Sequence, residues 1–373
     1  MGDGEENKEF LGALEVLRRA SEDMETNPLA FVDEFSAAPS HFVKALLALQ
    51  SDASDLLSND PRLATLSHLL FRLKSFASSC SPSSLRRHSY RREISRLAAS
   101  IGSEINSWIH RESLNHLVSL LRSAPLSNDE ETIRRLLALE SLVSRGFDRG
   151  LQDALVQSGA LPAVESALAN QAASDRVRDS CAALVLALVR FNKDVFVGEV
   201  LVGPAVGCLV AMGSAAALHS LAGLIATIRS PLVDELLAKE GISKILAFLT
   251  SPDLEVRLLA LDCVVAVGYV GSKDAVDAMM RAGVVKRLLE MQRTEVAVDD
   301  DRRQMSRTDL SERSALASAV GRFAVGVEVG EGLRQREKRA FKLEVLRRVR
   351  EAAADEAEVA TVISEILWGS TSW

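Results

Sequence analysis

Six histidines, four cysteines and one run of three aspartates are the side chains of this 373-residue chain best suited to hold a metal or move a proton. The histidines are His41, His68, His88, His110, His116 and His219. No pair forms H-E-x-x-H, and none stands beside a cysteine at ligand spacing. His110 and His116 fall on different faces of a helix. Cys80, Cys181, Cys208 and Cys263 are each far from the next, which excludes a zinc knuckle or a redox pair and reads as reduced core thiols. There is no G-x-S-x-G elbow, and Gly326-Val-Glu-Val-Gly330-Glu-Gly332 lacks the Lys-Ser/Thr of a phosphate loop, so it is expected to break one helix from the next. Asp299-Asp300-Asp301 is followed by Arg302 and Arg303, which makes residues 294–306 a mixed-charge solvated connection rather than a cation site. The expectation is therefore a chain with no catalytic residue, no metal and no cofactor.

The bulk properties narrow the class. Hydrophobic residues make up 47% and charged residues 25%, as in a folded globular chain, but aromatics only 5%. A core short of rings must be built from Leu, Val and Ala, which favours helix-on-helix stacking. The length exceeds one compact helical core, so two domains or an elongated array is expected. A net charge of −7 argues against specific nucleic-acid binding. Residues 1–8 are acidic and carry no secretory signal, and together with the cysteine usage this points to the cytoplasm and/or the nucleus. Residues 200–228 contain no Asp, Glu, Lys or Arg, a stretch longer than the ~20 residues that span a bilayer. They also contain Gly203, Pro204, Gly207, Gly213 and Gly223, so paired buried helices are expected there and an integral membrane chain is not.

The positions of glycine then define a period. Gly159-Ala-Leu-Pro-Ala-Val164, Gly203-Pro-Ala-Val206, Gly241-Ile-Ser-Lys-Ile-Leu246 and Gly283-Val-Val-Lys-Arg-Leu288 each open a leucine-rich run. Aligning Pro162, Pro204, Lys244 and Lys286 gives spacings of 42, 40 and 42, and a fainter copy at Leu114-Asn-His-Leu-Val-Ser-Leu-Leu121 sits 47 residues earlier. Each unit reads as three helices. A short amphipathic helix is stopped by the glycine in a left-handed cap, a second helix follows, and a polar turn opens a longer third one. Ser174 and Ser251 are expected N-caps, with Pro252 in the first turn after Ser251. The last two helices, around Phe341 to Val349 and Val359 to Trp368, are expected to cap the array, with Arg347, Arg348, Arg350 and Glu351 on the outer face.

Ser158-Gly-Ala-Leu-Pro-Ala-Val-Glu-Ser-Ala-Leu168 with Arg178-Asp-Ser-Cys-Ala-Ala-Leu-Val-Leu-Ala-Leu188 resembles the armadillo repeat, as does Lys239-Glu-Gly-Ile-Ser-Lys-Ile-Leu-Ala-Phe-Leu249 with Val256-Arg-Leu-Leu-Ala-Leu-Asp-Cys-Val-Val265. The style is similar to plant armadillo-only proteins and the armadillo region of plant U-box ligases. The resemblance implies an all-α, right-handed armadillo-type α-solenoid of about five to six units over residues 109–369. It implies a non-catalytic protein-binding scaffold or adaptor that takes a helix or short peptide in its concave groove. One alternative is a component of a ubiquitin ligase pathway lacking its own U-box, since no U-box segment is visible. In armadillo proteins that hold extended basic peptides, the third helices carry a Trp and, four residues later, an Asn. The matching positions here are Glu140/Ser144, Leu184/Leu188, His219/Gly223, Asp262/Ala266 and Ala317/Gly321, and none is Trp or Asn. The implied groove has acidic points at Glu140 and Asp262 and an apolar centre at Leu184 and Leu188, unless those leucines are core.

No period shows before residue 109, and residues 1–108 are expected to form a helical bundle of about four helices. Residues 7–25 read as an acidic amphipathic helix, and Asn27-Pro28 and Asp60-Pro61 read as helix starts. Leu63, Leu66, Leu70, Leu73 and Phe76 form one apolar face. A serine-rich loop is expected over residues 75–89, then a helix from about 85 to 109. The basic cluster 86–92 flanks Ser89, a candidate phosphosite, and supports a further alternative, a membrane-surface tether.

Overall fold

A computed structural model describes residues 64–79, 87–123, 129–299 and 316–368, and these fall into two compact units. The first comprises the described residues up to His116 together with residues 148–158. It contains helix α1 (Ala64–Ser79), most of α2 (Arg87–Arg122) and α4 (Arg149–Ser158). Leu66 and Leu70 of α1 are buried, as are Leu97, Ile101, Ile105 and Trp108 of α2 and Leu151, Ala154 and Leu155 of α4, each set at helical spacing. Arg72 and Glu93 join α1 to α2 at 3.6 Å. Here the boundaries differ from the sequence reading. α1 runs through the serines to Ser79 and α2 begins at Arg87, so helix occupies both ends of the expected 75–89 loop. α2 also runs on to Arg122, so the faint copy at 114–121 is the end of this long helix. The expected helices before residue 64 lie outside the described residues.

The second unit holds α3 (Asp129–Ser144) and then a regular series. The triplets are α5 (Ala160–Ala169) and α6 (Asp175–Phe191), following α4 in the chain; α7 (Lys193–Val202), α8 (Ala205–Met212) and α9 (Ala215–Ile228); α10 (Ser230–Ala238), α11 (Gly241–Phe248) and α12 (Leu254–Val270); and α13 (Lys273–Arg281), α14 (Val284–Asp299) and α15 (Ala319–Val329). α16 (Gln335–Ala352) and α17 (Glu356–Trp368) close it. Third helices pack on third helices in the order α3, α6, α9, α12, α15; α5, α8 and α11 pack in order, and so do α7, α10 and α13. This is an armadillo-type α-solenoid built from the chain's own contacts, and every described element is a helix.

Polar contacts between neighbouring units recur at about the repeat length. The Ser214 hydroxyl donates to Asp179 at 2.6 Å, Lys193 to the carbonyl of Thr227 at 2.7 Å, Ser230 to that of Val270 at 3.1 Å, and Arg287 to that of Leu246 at 3.2 Å. Three of these satisfy backbone carbonyls near the C-terminal ends of helices, which have no partner within the helix.

The glycines serve two different purposes. Gly159 (φ 63°) and Gly283 (φ 77°) take the expected left-handed turn. Gly203 and Gly241 do not. The left-handed residue before α11 is Glu240 (φ 54°), and Gly203 is extended at φ −73°, ψ 179°. Gly203 is needed instead for close approach, because a Cβ there would lie 2.4 Å from the Glu165 carboxylate. Ser174 caps α6 as expected, accepting from the amide of Val177. At α12 the cap is Asp253, two residues beyond the expected Ser251. The break expected from Gly326 begins only at Gly330, after α15 has continued through Gly326. Residues 294–299 extend α14, and 300–315 lie outside the described residues. The uncharged run at 200–228 is broken at Gly203-Pro204 and Gly213-Ser214. Among the described residues no single helix is long and apolar enough to cross a membrane; the pair α7 and α8 meets the length and composition but is bent by 69°. At the C-terminal end, Arg293 of α14 clamps Glu358 with two contacts of 2.7 Å, and Arg347 and Arg348 on the face of α16 pair with Glu344.

Glu165 of α5 is a buried acid (6% exposed) whose Oε1 has no hydrogen-bond partner among the described residues. Burial, and then the nearby Glu199, pushes its pKa up from 4.5 to about 7. The folded chain thus holds this proton more tightly than the unfolded chain. The resulting stability is complete below about pH 4.5 and is lost as the pH rises through about 7. Glu165→Gln is expected to raise the thermal midpoint at pH 8 by a few degrees, on the order of 3 °C, and to leave it nearly unchanged at pH 4.5. An equal effect at both pH values in thermal melts would refute this.

Candidate binding groove

The third helices α6, α9 and α12 are each packed between two other third helices, and the residues turned away from those contacts form an open strip. In α6, packing against α3, α5 and α9 buries Val177, Cys181, Leu184, Val185, Leu188 and Val189. Leu184 and Leu188 are 0% exposed, so they are core and cannot line a groove. The open strip runs one residue earlier, through Ala183 and Ala187, and continues to Arg190. One position rotates a helical side chain by about 100°, enough to move it from the groove to the interior.

The other positions separate as follows. Glu140 and Ser144 of α3 and His219 of α9 line a cleft of about 540 Å³ together with Phe147, Ala187 and Arg190. Glu140, Ser144, Arg190 and His219 have no hydrogen-bond or ion-pair partner among the described residues. Phe147, which is 64% exposed, leans on Phe191 with ring centroids 5.7 Å apart, making an aromatic wall beside Arg190. Next to it, a Cβ at Gly223 of α9 would come 2.6 Å from Leu186 and 3.1 Å from the Arg190 guanidinium, so Arg190 lies against the α9 backbone at this glycine. Ser220 at the base is 1% exposed, and its hydroxyl has no partner among the described residues.

Asp262 is not in this cleft. Arg322 of α15 donates to it at 3.0 Å, so its charge is already matched within the fold and it is not a free acidic point. Gly321, expected on the groove, faces α17 instead, where a Cβ would meet Glu365 at 3.0 Å. Ser89 lies in the first turn of α2, but its side chain and most of the 86–92 cluster lie outside the described residues. The sequence reading missed Arg190 and Phe147. The signal for Arg190 was present, since it lies at i+7 from Ala183 on the same helical strip; Phe147 follows the end of α3 and had no periodic signal.

Among the described residues no group of three His, Cys, Asp or Glu is placed to hold a metal. Cys181, Cys208 and Cys263 are free thiols. Burial pushes Cys181 up to about 12 and raises Cys263 and Cys208.

No protein-family model matches the chain, and no curated protein matches it. Among solved structures, it is similar to a designed armadillo repeat protein in complex with the peptide (KR)4 at 15% identity and TM-score 0.46, covering 68% of this chain and 99% of that one. An engineered protein aligns at 16% identity and TM-score 0.48, covering 70% and 99%. Another aligns at 13% identity and TM-score 0.44, covering 96% and 98%. Likeness at these scores carries no functional weight, and the fold assignment rests on the helix contacts above.

The shift of register in α6 can be measured directly. Leu184→Ala is expected to destabilise by about 2–5 kcal/mol, as for deletion of a fully buried leucine side chain. Ala183→Ser is expected to stay within about 0.5 kcal/mol. Denaturant melts that ranked the two the other way would return Leu184 to the groove.

Proposed function

We propose that this chain is a non-catalytic scaffold that holds a short segment of another protein in the cleft between α3, α6 and α9. The observation that carries this is the set of unpaired polar side chains, Glu140, Arg190 and His219, around one cleft with an apolar wall at Phe147, Phe191 and Leu186. Elsewhere on the third helices the charges are largely matched internally. Asp262 pairs with Arg322, Glu131 with Arg134 and Arg135, and Glu328 with Lys342. An apolar wall with a few convergent polar groups is the usual make-up of a recognition site. The surface is also held from behind, since α5 packs on α6 and both α8 and α10 pack on α9.

Peptides selected from a random display library against the full chain test this. They are expected to lose about tenfold or more in affinity for Ala187→Arg, which fills the floor of the cleft. The thermal midpoint should be unchanged, because Ala187 faces the opening. Selected binders indifferent to Ala187→Arg would overturn the reading.

A further inference from the structure

The cleft carries one acidic and one basic side chain. Glu140 lines it together with Ser144, Ala183 and His219. Arg190 lines it beside Phe147, with its guanidinium against Gly223 of α9. Ala187 lies on the α6 side of the same cleft.

Beyond the first helical turns, Glu140 and Arg190 are the two charged side chains of α3, α6, α9, α12 and α15 with neither an ion-pair nor a hydrogen-bond partner among the described residues. Each is a charge placed against apolar surface without a counter-ion, and a ligand can supply both.

From this, and resting on the groove reading above, we infer that the occupant is an extended segment of a partner protein with a basic and an acidic residue at an even spacing, so that both side chains point from one face of the strand into the cleft. The basic side chain meets Glu140, the carboxylate meets Arg190 beside Phe147, and the residue between them lies over Ala187. Extended chain is favoured over helix because its own amides and carbonyls are free to bond the exposed Ser144 and His219 side chains, whereas a helix has already used them. This order of charges differs from that of a groove for uniformly basic peptides, which would need a row of acidic or aromatic side chains where Ala183, Ala187 and Arg190 stand.

The test uses the full chain and fluorescence polarisation with three labelled, end-capped hexapeptide pools. One carries one Lys and one Glu two or four positions apart in both orders, one two Lys and one two Glu at the same spacings, with the other residues drawn from Ala, Leu and Phe. The mixed-charge pool is expected to bind about tenfold tighter than either like-charge pool. Glu140→Lys, which leaves two cations, is expected to transfer the preference to the two-Glu pool. Arg190→Glu, which leaves two anions, is expected to transfer it to the two-Lys pool. Both positions are at least partly exposed, and unchanged thermal midpoints verify that the variants fold. If the variants do not re-rank the pools, or no pool binds, the charge order is wrong. Library-selected peptides that still depend on Ala187 would in that case leave the groove itself standing, and the two failures are thereby told apart.

Discussion

Burial of each third helix between two others is the interaction on which the rest of the second unit depends. α6 cannot hide Cys181, Leu184, Val185, Leu188 and Val189 within its own triplet; α3 and α9 on either side complete the shell. The same holds for α9 between α6 and α12, and for α12 between α9 and α15. Leu218, Leu221 and Leu224 of α9 and Ala260, Leu261 and Cys263 of α12 are all 0% exposed. The fold is therefore a chain of shared interfaces, each unit completing its neighbour's core.

That arrangement decides where polar groups can go. Inside it, a side chain without a partner is costly, and Glu165 lowers its own cost by holding a proton toward neutral pH, while Gly203 leaves room for its carboxyl group. At the helix ends the problem is orphan carbonyls, and side chains from the adjoining unit solve it, as Lys193 does for Thr227 and Ser230 for Val270. On the open strip neither constraint applies, and here unpaired charges survive. The contrast between Asp262, held by Arg322, and Glu140, held by nothing among the described residues, distinguishes an internal brace from a surface available to a ligand.

Some of this was legible in the residues and some was not, for identifiable reasons. The spacing of Gly159, Gly203, Gly241 and Gly283 marked the period correctly, yet Gly203 and Gly241 take no left-handed turn and Gly203 instead lies close to the Glu165 carboxylate, and glycine looks the same in either role. Glu140, Ser144 and His219 were placed on the open strip by alignment with the repeat. Leu184 and Leu188 were placed there by the same alignment and are core, because α6 is apolar at every position from Cys181 to Val189, where the sequence pattern does not mark one face as open. Arg190 was not assigned to the strip from the sequence; only the packing of its guanidinium against Gly223 on the adjacent helix reveals its place beside the cleft.

What the sequence determined alone was local: helices from leucine spacing, their ends from glycine, proline and capping residues, and a repeat of about 42 residues from the recurrence of all three. What only the tertiary structure decided was which side of each helix remains open and which charges are left over after the units have packed. Both depend on residues in the neighbouring unit, far away in the chain, as Arg322 is from Asp262 and Gly223 from Leu186 and Arg190. Hydrophobic spacing along one helix records how much of it is buried, but not which neighbour does the burying.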